Sequence, residues 1–290
     1  MSNSSGQPSE VGFESRSPGQ NRGNIGSSEL SGFTSIVTGA ATGLGRAIAE
    51  ELARAGSNVA VMDIDIIRAR LAAQELAALG VSARAYQVDV SSSEEVDSGF
   101  QEVMSDFGRL DVVVNNAGLS LVGPYIVETT DEDWHKAIGV MQTGVFYCMR
   151  AAARHMLPQK SGSVINISSI RGYSSNPGRI AYCAAKAAVI IMTRVAAAEW
   201  APYGVRANSI APGVQQTEMW EQEVRRGVGD ESALLEVTPA GRLGQPWEVG
   251  RLAVFLAGPD SEFVNGACVS IDGGLTSVPP DGSVRRPAHD

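Results

Sequence analysis

The segment YCAAKAAVII sets Tyr182 and Lys186 four residues apart in a run of small and apolar residues. On a helix that spacing is close to one turn, so phenol and ammonium share a face. The chain carries three lysines against twenty arginines, and one of the three stands here. A free tyrosine titrates near pH ~10; a neighbouring cation favours its phenolate and moves it towards the range where a general base works at neutral pH. Lysine suits that task better than arginine, because its ammonium is a compact charge with rotatable donors. The pair therefore reads as machinery for moving a proton to or from a substrate oxygen. The alternative is a packed Tyr beside a Lys that snorkels to solvent.

A second cluster points to a dinucleotide. TGAATGLG places Gly39, Gly43 and Gly45 between a first strand and a helix beginning near Leu44. Absent side chains there permit a tight turn and close backbone approach to a pyrophosphate at the helix N-terminus. Asp63 follows Gly45 by eighteen residues, at the end of a second strand. Its carboxylate can accept from both ribose hydroxyls of an adenosine and would repel a 2′-phosphate. Neither Thr42 nor Ile64 offers a positive charge to such a phosphate, and Arg68 and Arg70 fall on the next helix, in solvent. The expected cofactor is NAD. The histidines His135, His155 and His289 lack ligand spacing, so no metal is expected. Cys148, Cys183 and Cys268 are too few and too scattered for a disulfide framework and fit reduced, intracellular thiols.

These groups need a frame. Strand-like runs alternate with helical periodicity: TSIVTG, then Leu44 to Ala55; NVAVMD, then Ile66 to Leu79; ARAYQVDV, then Glu94 to Phe107; then LDVVVNNAG. Further strands are expected at GSVINISS, VRANSIAP and ACVSIDGG. Continuous apolar strands belong in a parallel sheet covered on both faces, which makes the fold class α/β, a single doubly wound Rossmann-like sheet. The 290 residues suit one such domain, over 32–275. The Ser, Gly, Asn and Gln of 1–31 bury too little to offset the entropy of ordering, and 276–290 share that character. A net charge of −9 with no basic stripe argues against a nucleic-acid partner, and no uninterrupted apolar run reads as long enough to cross a bilayer. No signal peptide precedes the fold, so the expected location is cytoplasmic.

The sequence TGxxxGxG, NNAG at 115–118, a Ser thirteen residues before YxxxK, and PG at 212–213 followed by Thr217 together resemble the short-chain dehydrogenase/reductase family, from about Thr34 to Gly274. The resemblance implies hydride transfer between NAD(H) and a small-molecule alcohol or carbonyl substrate. It makes Tyr182 the general acid/base, Lys186 the group that lowers its pKa and binds the nicotinamide ribose, and Ser169 the donor to the substrate oxygen, with Ser168 a structural neighbour. Gly39, Thr42, Gly43, Leu44, Gly45 and Asp63 would meet the cofactor, as would Asp89 and Val90 at the adenine. Asn115, Asn116, Ala117 and Gly118 fall at a cofactor-facing strand end, Pro212 and Gly213 at the PG turn, and Thr217 at the carboxamide. One position departs from the family pattern: Met141 stands where an Asn usually joins the proton relay, and Gln142 could replace it only if the helix is distorted there.

The resemblance also places the substrate between Ile170–Ile180 and a lid over about Val214–Leu243. Secondary alcohols, cyclic ketones, polyols and 3-oxoacyl thioesters remain open, and Arg171 could pair with an anion. The helix from Ala181 to Ala198 is apolar nearly all round, which with the resemblance implies a homotetramer. Two other readings stand: an NADPH-dependent 3-oxoacyl thioester reductase, and a dinucleotide-sensing protein whose chemistry is impaired by Met141.

Overall fold

A computed structural model describes residues 29–277 except 121, 122 and 124. The arm and tail predicted from composition therefore lie almost wholly outside the described residues. The elements are β1 (Thr34–Thr38), α1 (Gly43–Arg54), β2 (Asn58–Asp63), α2 (Ile66–Ala77), β3 (Ala83–Gln87), α3 (Ser93–Phe107), β4 (Val112–Asn115), α4 (Asp131–Ile138), α5 (Gly144–Gln159) and β5 (Gly162–Ile167). They continue as α6 (Ile180–Trp200), β6 (Val205–Pro212), α7 (Glu218–Arg225), α8 (Glu231–Val237), α9 (Pro246–Ala257) and β7 (Cys268–Ile271). All seven strands run parallel in the order β3-β2-β1-β4-β5-β6-β7. This is the doubly wound sheet the alternation predicts.

Strand alternation builds two cores. Val37 of β1 joins Ile48, Leu52, Leu76 and Val254, from α1, α2 and α9 on one face. Its neighbour Ile36 joins Phe100, Val145 and Val189, from α3, α5 and α6 on the other. Local chemistry sets the helix ends that frame the site. The α3 helix starts where Ser92 accepts from the Glu95 N–H and ends at Gly108, whose φ of 75° a side chain would resist. Gln245 and Glu248 cap α9 reciprocally, with Pro246 at its first turn.

Three expectations change. Leu30, assigned to the arm, is fully buried in the first core, so the fold begins before residue 32; a single large apolar side chain outweighs its polar neighbours. The segment Ile180–Tyr203 is, contrary to the sequence reading, long and apolar enough to cross a membrane by length and composition. Here α6 spends that character on the sheet, burying Ala185, Val189 and Ala196, while Ile191 (55% exposed) and Val195 (50%) face outward. Thirdly, a π turn at Gly139–Thr143 links α4 to α5, a local widening that the periodicity did not signal.

Candidate functional site

Crossovers leave β1 and β4 in opposite directions, so the carboxyl ends of these adjacent strands open a crevice. Asn116 ties the two ends together: its Nδ2 donates to Thr38 O at 3.0 Å and Gly39 O at 3.1 Å, and its backbone N–H donates to Thr38 Oγ1 at 3.0 Å. Asn115 points the other way. It is buried among the sheet's side chains and donates to Asn166 Oδ1 at 2.7 Å, which corrects its expected cofactor-facing role. Adjacent strand residues face opposite sides, and only one asparagine of the pair can face the crevice.

The remaining predicted site residues come together along one cleft of about 990 Å³. A Cβ on Gly45 would stand 2.2 Å from Gly39 O, and one on Gly39 2.9 Å from the Ala117 Cα, so the turn closes only with glycine at both. Gly43 has φ +57° and nothing within 4 Å of a built Cβ, on the open side of the turn. Thr42 precedes α1 without a side-chain cap, and no acidic residue stands in the first turn. The free N–H groups and positive dipole end thus face open space, which suits a pyrophosphate. Asp63 Oδ2 accepts from the Ala41 N–H and Oδ1 from the Asp65 N–H, both at 3.0 Å. Each oxygen keeps a lone pair for a ribose hydroxyl. Leu44, Val90, Ala117, Gly118, Pro212 and Gly213 complete the walls. Asp89 shapes the adenine end by accepting from the Ser91 N–H at 2.9 Å, and Thr217, also in the lining, caps α7. Arg68 lies at the rim rather than away from it, 3.5 Å from Asp65. The residues present fit a nicotinamide dinucleotide.

Tyr182, Lys186 and Ser169 meet deeper in the cleft. Lys186 is buried, its Nζ 2.7 Å from Ile167 O and 5.8 Å from the centre of the Tyr182 ring. Burial lowers its pKa from 10.5 to about 8. Tyr182 moves up rather than down: burial raises it, and its hydrogen bond to Ser169 and the charge of Arg179 oppose that only in part. Arg179, which the spacing did not point to, also acts on this phenol and favours its ionised form. Ser169 Oγ accepts from the Arg171 N–H at 3.1 Å, so its own proton stays available to Tyr182 or a substrate. Ser168 is structural, donating to Lys186 O at 2.8 Å.

Met141 is fully buried in the π turn and packs with Ala137, Ala181, Ala185 and Tyr182 as an apolar wall behind the phenol. The helix is distorted where Gln142 would need it, yet Met141 lines the cleft and Gln142 does not. The segment expected to form a lid folds as α7 and α8, which line the cleft. Its Glu223 is held by Arg179 at 2.7 Å and by the Ser120 hydroxyl, in a cluster that the sequence did not disclose. No spacing rule joins residues 44 and 103 positions apart.

The comparisons agree with this geometry. A family model described as "Enoyl-(Acyl carrier protein) reductase" matches residues 39–276. The 5-keto-D-gluconate 5-reductase of Escherichia coli (strain K12) is 37% identical over 249 residues, covering 85% of this chain and 96% of that relative. A gluconate 5-dehydrogenase from Burkholderia cenocepacia J2315, solved with NADP and tartrate, is 35% identical with a TM-score of 0.82, covering 87% of this chain and 98% of that one. An NAD+-bound xylitol dehydrogenase is 32% identical with a TM-score of 0.81, covering 85% and 100%. A parallel sheet with its crevice at the β1/β4 reversal, and near-complete overlap with these oxidoreductases, place the chain in the short-chain dehydrogenase/reductase family.

Proposed function

We propose that the chain is an NAD-dependent oxidoreductase that interconverts a secondary alcohol and its ketone. The observation that carries this reading is the junction at the cleft floor: Ser169 and Tyr182 line one cleft with buried Lys186, whose Nζ lies 5.8 Å from the centre of the Tyr182 ring. The bound nicotinamide would accept or give the hydride. Ser169 holds the substrate oxygen and steadies its developing charge. In reduction Tyr182 donates its phenolic proton to that oxygen; in oxidation it takes the proton back. Lys186 holds a positive charge beside the ring and stands ready for the nicotinamide ribose. Met141 seals the back of the phenol, so the proton returns to solvent by another route. The names of the relatives, a ketogluconate reductase and a xylitol dehydrogenase, favour a polyhydroxylated substrate.

NAD preference rests on Asp63. Asp63→Ala should lower kcat/KM with NAD at least about tenfold, the worth of a hydrogen bond to a charged group, and narrow the preference over NADP. Wild-type turnover faster with NADP than with NAD would contradict it. The neighbour solved with NADP makes this comparison informative. A 3-oxoacyl thioester reductase finds support in a 36% identical relative, a 3-oxoacyl-(acyl-carrier-protein) reductase from Staphylococcus aureus, and faster turnover of a 3-oxoacyl thioester with NADPH would favour it.

We further propose a cytoplasmic homotetramer. The outward Ile191 and Val195 of α6, with Phe146 of α5 47% exposed, leave apolar surface that a second copy would cover. Light scattering at micromolar concentration should report about four chains per particle, and a monodisperse monomer would contradict it.

A further inference from the structure

We propose that the substrate is an anion, a hydroxy acid or the matching oxo acid, and that Arg171 receives its carboxylate. This rests on the oxidoreductase reading and adds to it the charge class of the substrate. Arg171 sits in the short turn Ile170–Gly172, two residues after Ser169. Its Nη1 donates to Ser175 O at 3.0 Å and Ser174 Oγ at 3.4 Å, which pins the guanidinium into the wall of the cleft. Among the described residues, Nε and Nη2 have no acceptor and no carboxylate lies within ion-pair reach.

The neighbours of Arg171 sharpen the point. Burial is the main influence holding this guanidinium below its ordinary pKa; Cys183 and Tyr182 oppose it, and Arg179 adds repulsion. A half-buried cation without a counter-ion carries a desolvation cost that an entering anion offsets. Of the carboxylates in the lining, Glu223 is already taken by Arg179 and Ser120. On the lid rim, Glu218 accepts from Gln222 Nε2 and Asp230 caps α8. In the substrate half of the lining the balance is positive by one charge: Arg171, Arg179, Lys186 and Arg226 against Glu218, Glu223 and Asp230.

A buried donor without a partner has the same polarity. Trp220 lines the cleft from α7, and its indole N–H is buried without an acceptor. The one unpartnered buried acceptor of the described lining, Gln215 Oε1, packs against Gly244, where a Cβ would meet it at 2.3 Å. An unsatisfied donor calls for a ligand with acceptors, and a half-buried guanidinium prefers the paired oxygens of a carboxylate to a neutral hydroxyl. A neutral polyol would leave the Arg171 charge uncompensated.

The test uses probes paired by shape: D-gluconate with D-glucitol, and L-lactate with propylene glycol. Calorimetry on the NADH-loaded Tyr182→Phe protein reads binding without turnover. At least one acid should bind tenfold or more tightly than its neutral partner. Adding Arg171→Met should abolish that ratio, and Arg171→Lys should keep part of it. NADH binding by each variant reports that the fold survives; should Arg171→Met lose it, the Lys variant decides by a several-fold reduced ratio. Acids that bind no better than their neutral partners, or not at all, overturn the inference, as does a ratio indifferent to Arg171. Wild-type turnover with NAD on the same compounds separates the two readings. Turnover without charge discrimination removes the anion and keeps the oxidoreductase; discrimination in binding with no turnover does the reverse.

Discussion

Tyr182→Phe should lower kcat by about a hundredfold to ten-thousandfold, the range of a positioned acid or base, while NADH affinity changes little. The substitution removes one oxygen. The ring keeps its packing against Met141, Ala181 and Ala185, so a loss of activity cannot be laid to a loosened core. What disappears is the proton carrier, and Ser169, already accepting from the Arg171 N–H, has no basic group to take its place. The pH profile follows from the direction of the shift. With the phenol raised above its ordinary value by burial, the protein at neutral pH holds the proton that reduction needs. Reduction should be flat through neutrality and fall at alkaline pH, whereas oxidation should rise as the pH approaches the Tyr182 titration. Steady-state rates in both directions check this, and a variant with wild-type kcat would remove Tyr182 from the chemistry.

Lys186→Met should abolish turnover and make the protein more stable at pH 7. Burial lowers this lysine from 10.5 to about 8, which charges the folded state on the order of 3 kcal/mol for keeping it protonated. Against that stands the bond from Nζ to Ile167 O at 2.7 Å, worth about 1.5 to 3 kcal/mol for a charged donor. The desolvation equals or exceeds it, so the variant should gain up to about 1.5 kcal/mol and a Tm up to a few degrees higher. The sign with pH is fixed by a folded pKa below the unfolded one. The cost is complete below pH 8 and fades as the pH rises from there towards 10.5, so the gain should shrink over that window. Denaturation at pH 7 and again near pH 10 reads it. A variant less stable than wild type at pH 7 would mean that the hydrogen bond outweighs the buried charge. A functional group held at a cost to the fold is the usual bargain of an active site.

Much of this site was readable from the sequence because its chemistry is local. The glycines of TGAATGLG and the Tyr182/Lys186 pair act within one turn, and Asp63 stands at a strand end that the hydrophobic pattern marks. The choice between Asn115 and Asn116 was not readable, since strand parity decides which faces the crevice and the pattern leaves the register at the strand end open. The direction of the Tyr182 shift was not readable for a related reason: helical spacing brings Lys186 near, but spacing does not report burial, which raises the phenol against the opposing charge of Arg179. The Arg179–Glu223–Ser120 cluster exists only once the lid has packed over the cleft. Leu30 was hidden by composition, which averages one core residue into a polar arm.

The most direct measurement mixes the purified wild-type chain with NAD and a panel of hydroxy acids, polyols and secondary alcohols, following reduced-nicotinamide absorbance while NADH binding is measured alongside. The account predicts NADH formation that depends on substrate and is lost in Tyr182→Phe. Tight NADH binding with no turnover of any compound would contradict it, and would point instead to a protein that senses the dinucleotide behind a relay closed by Met141.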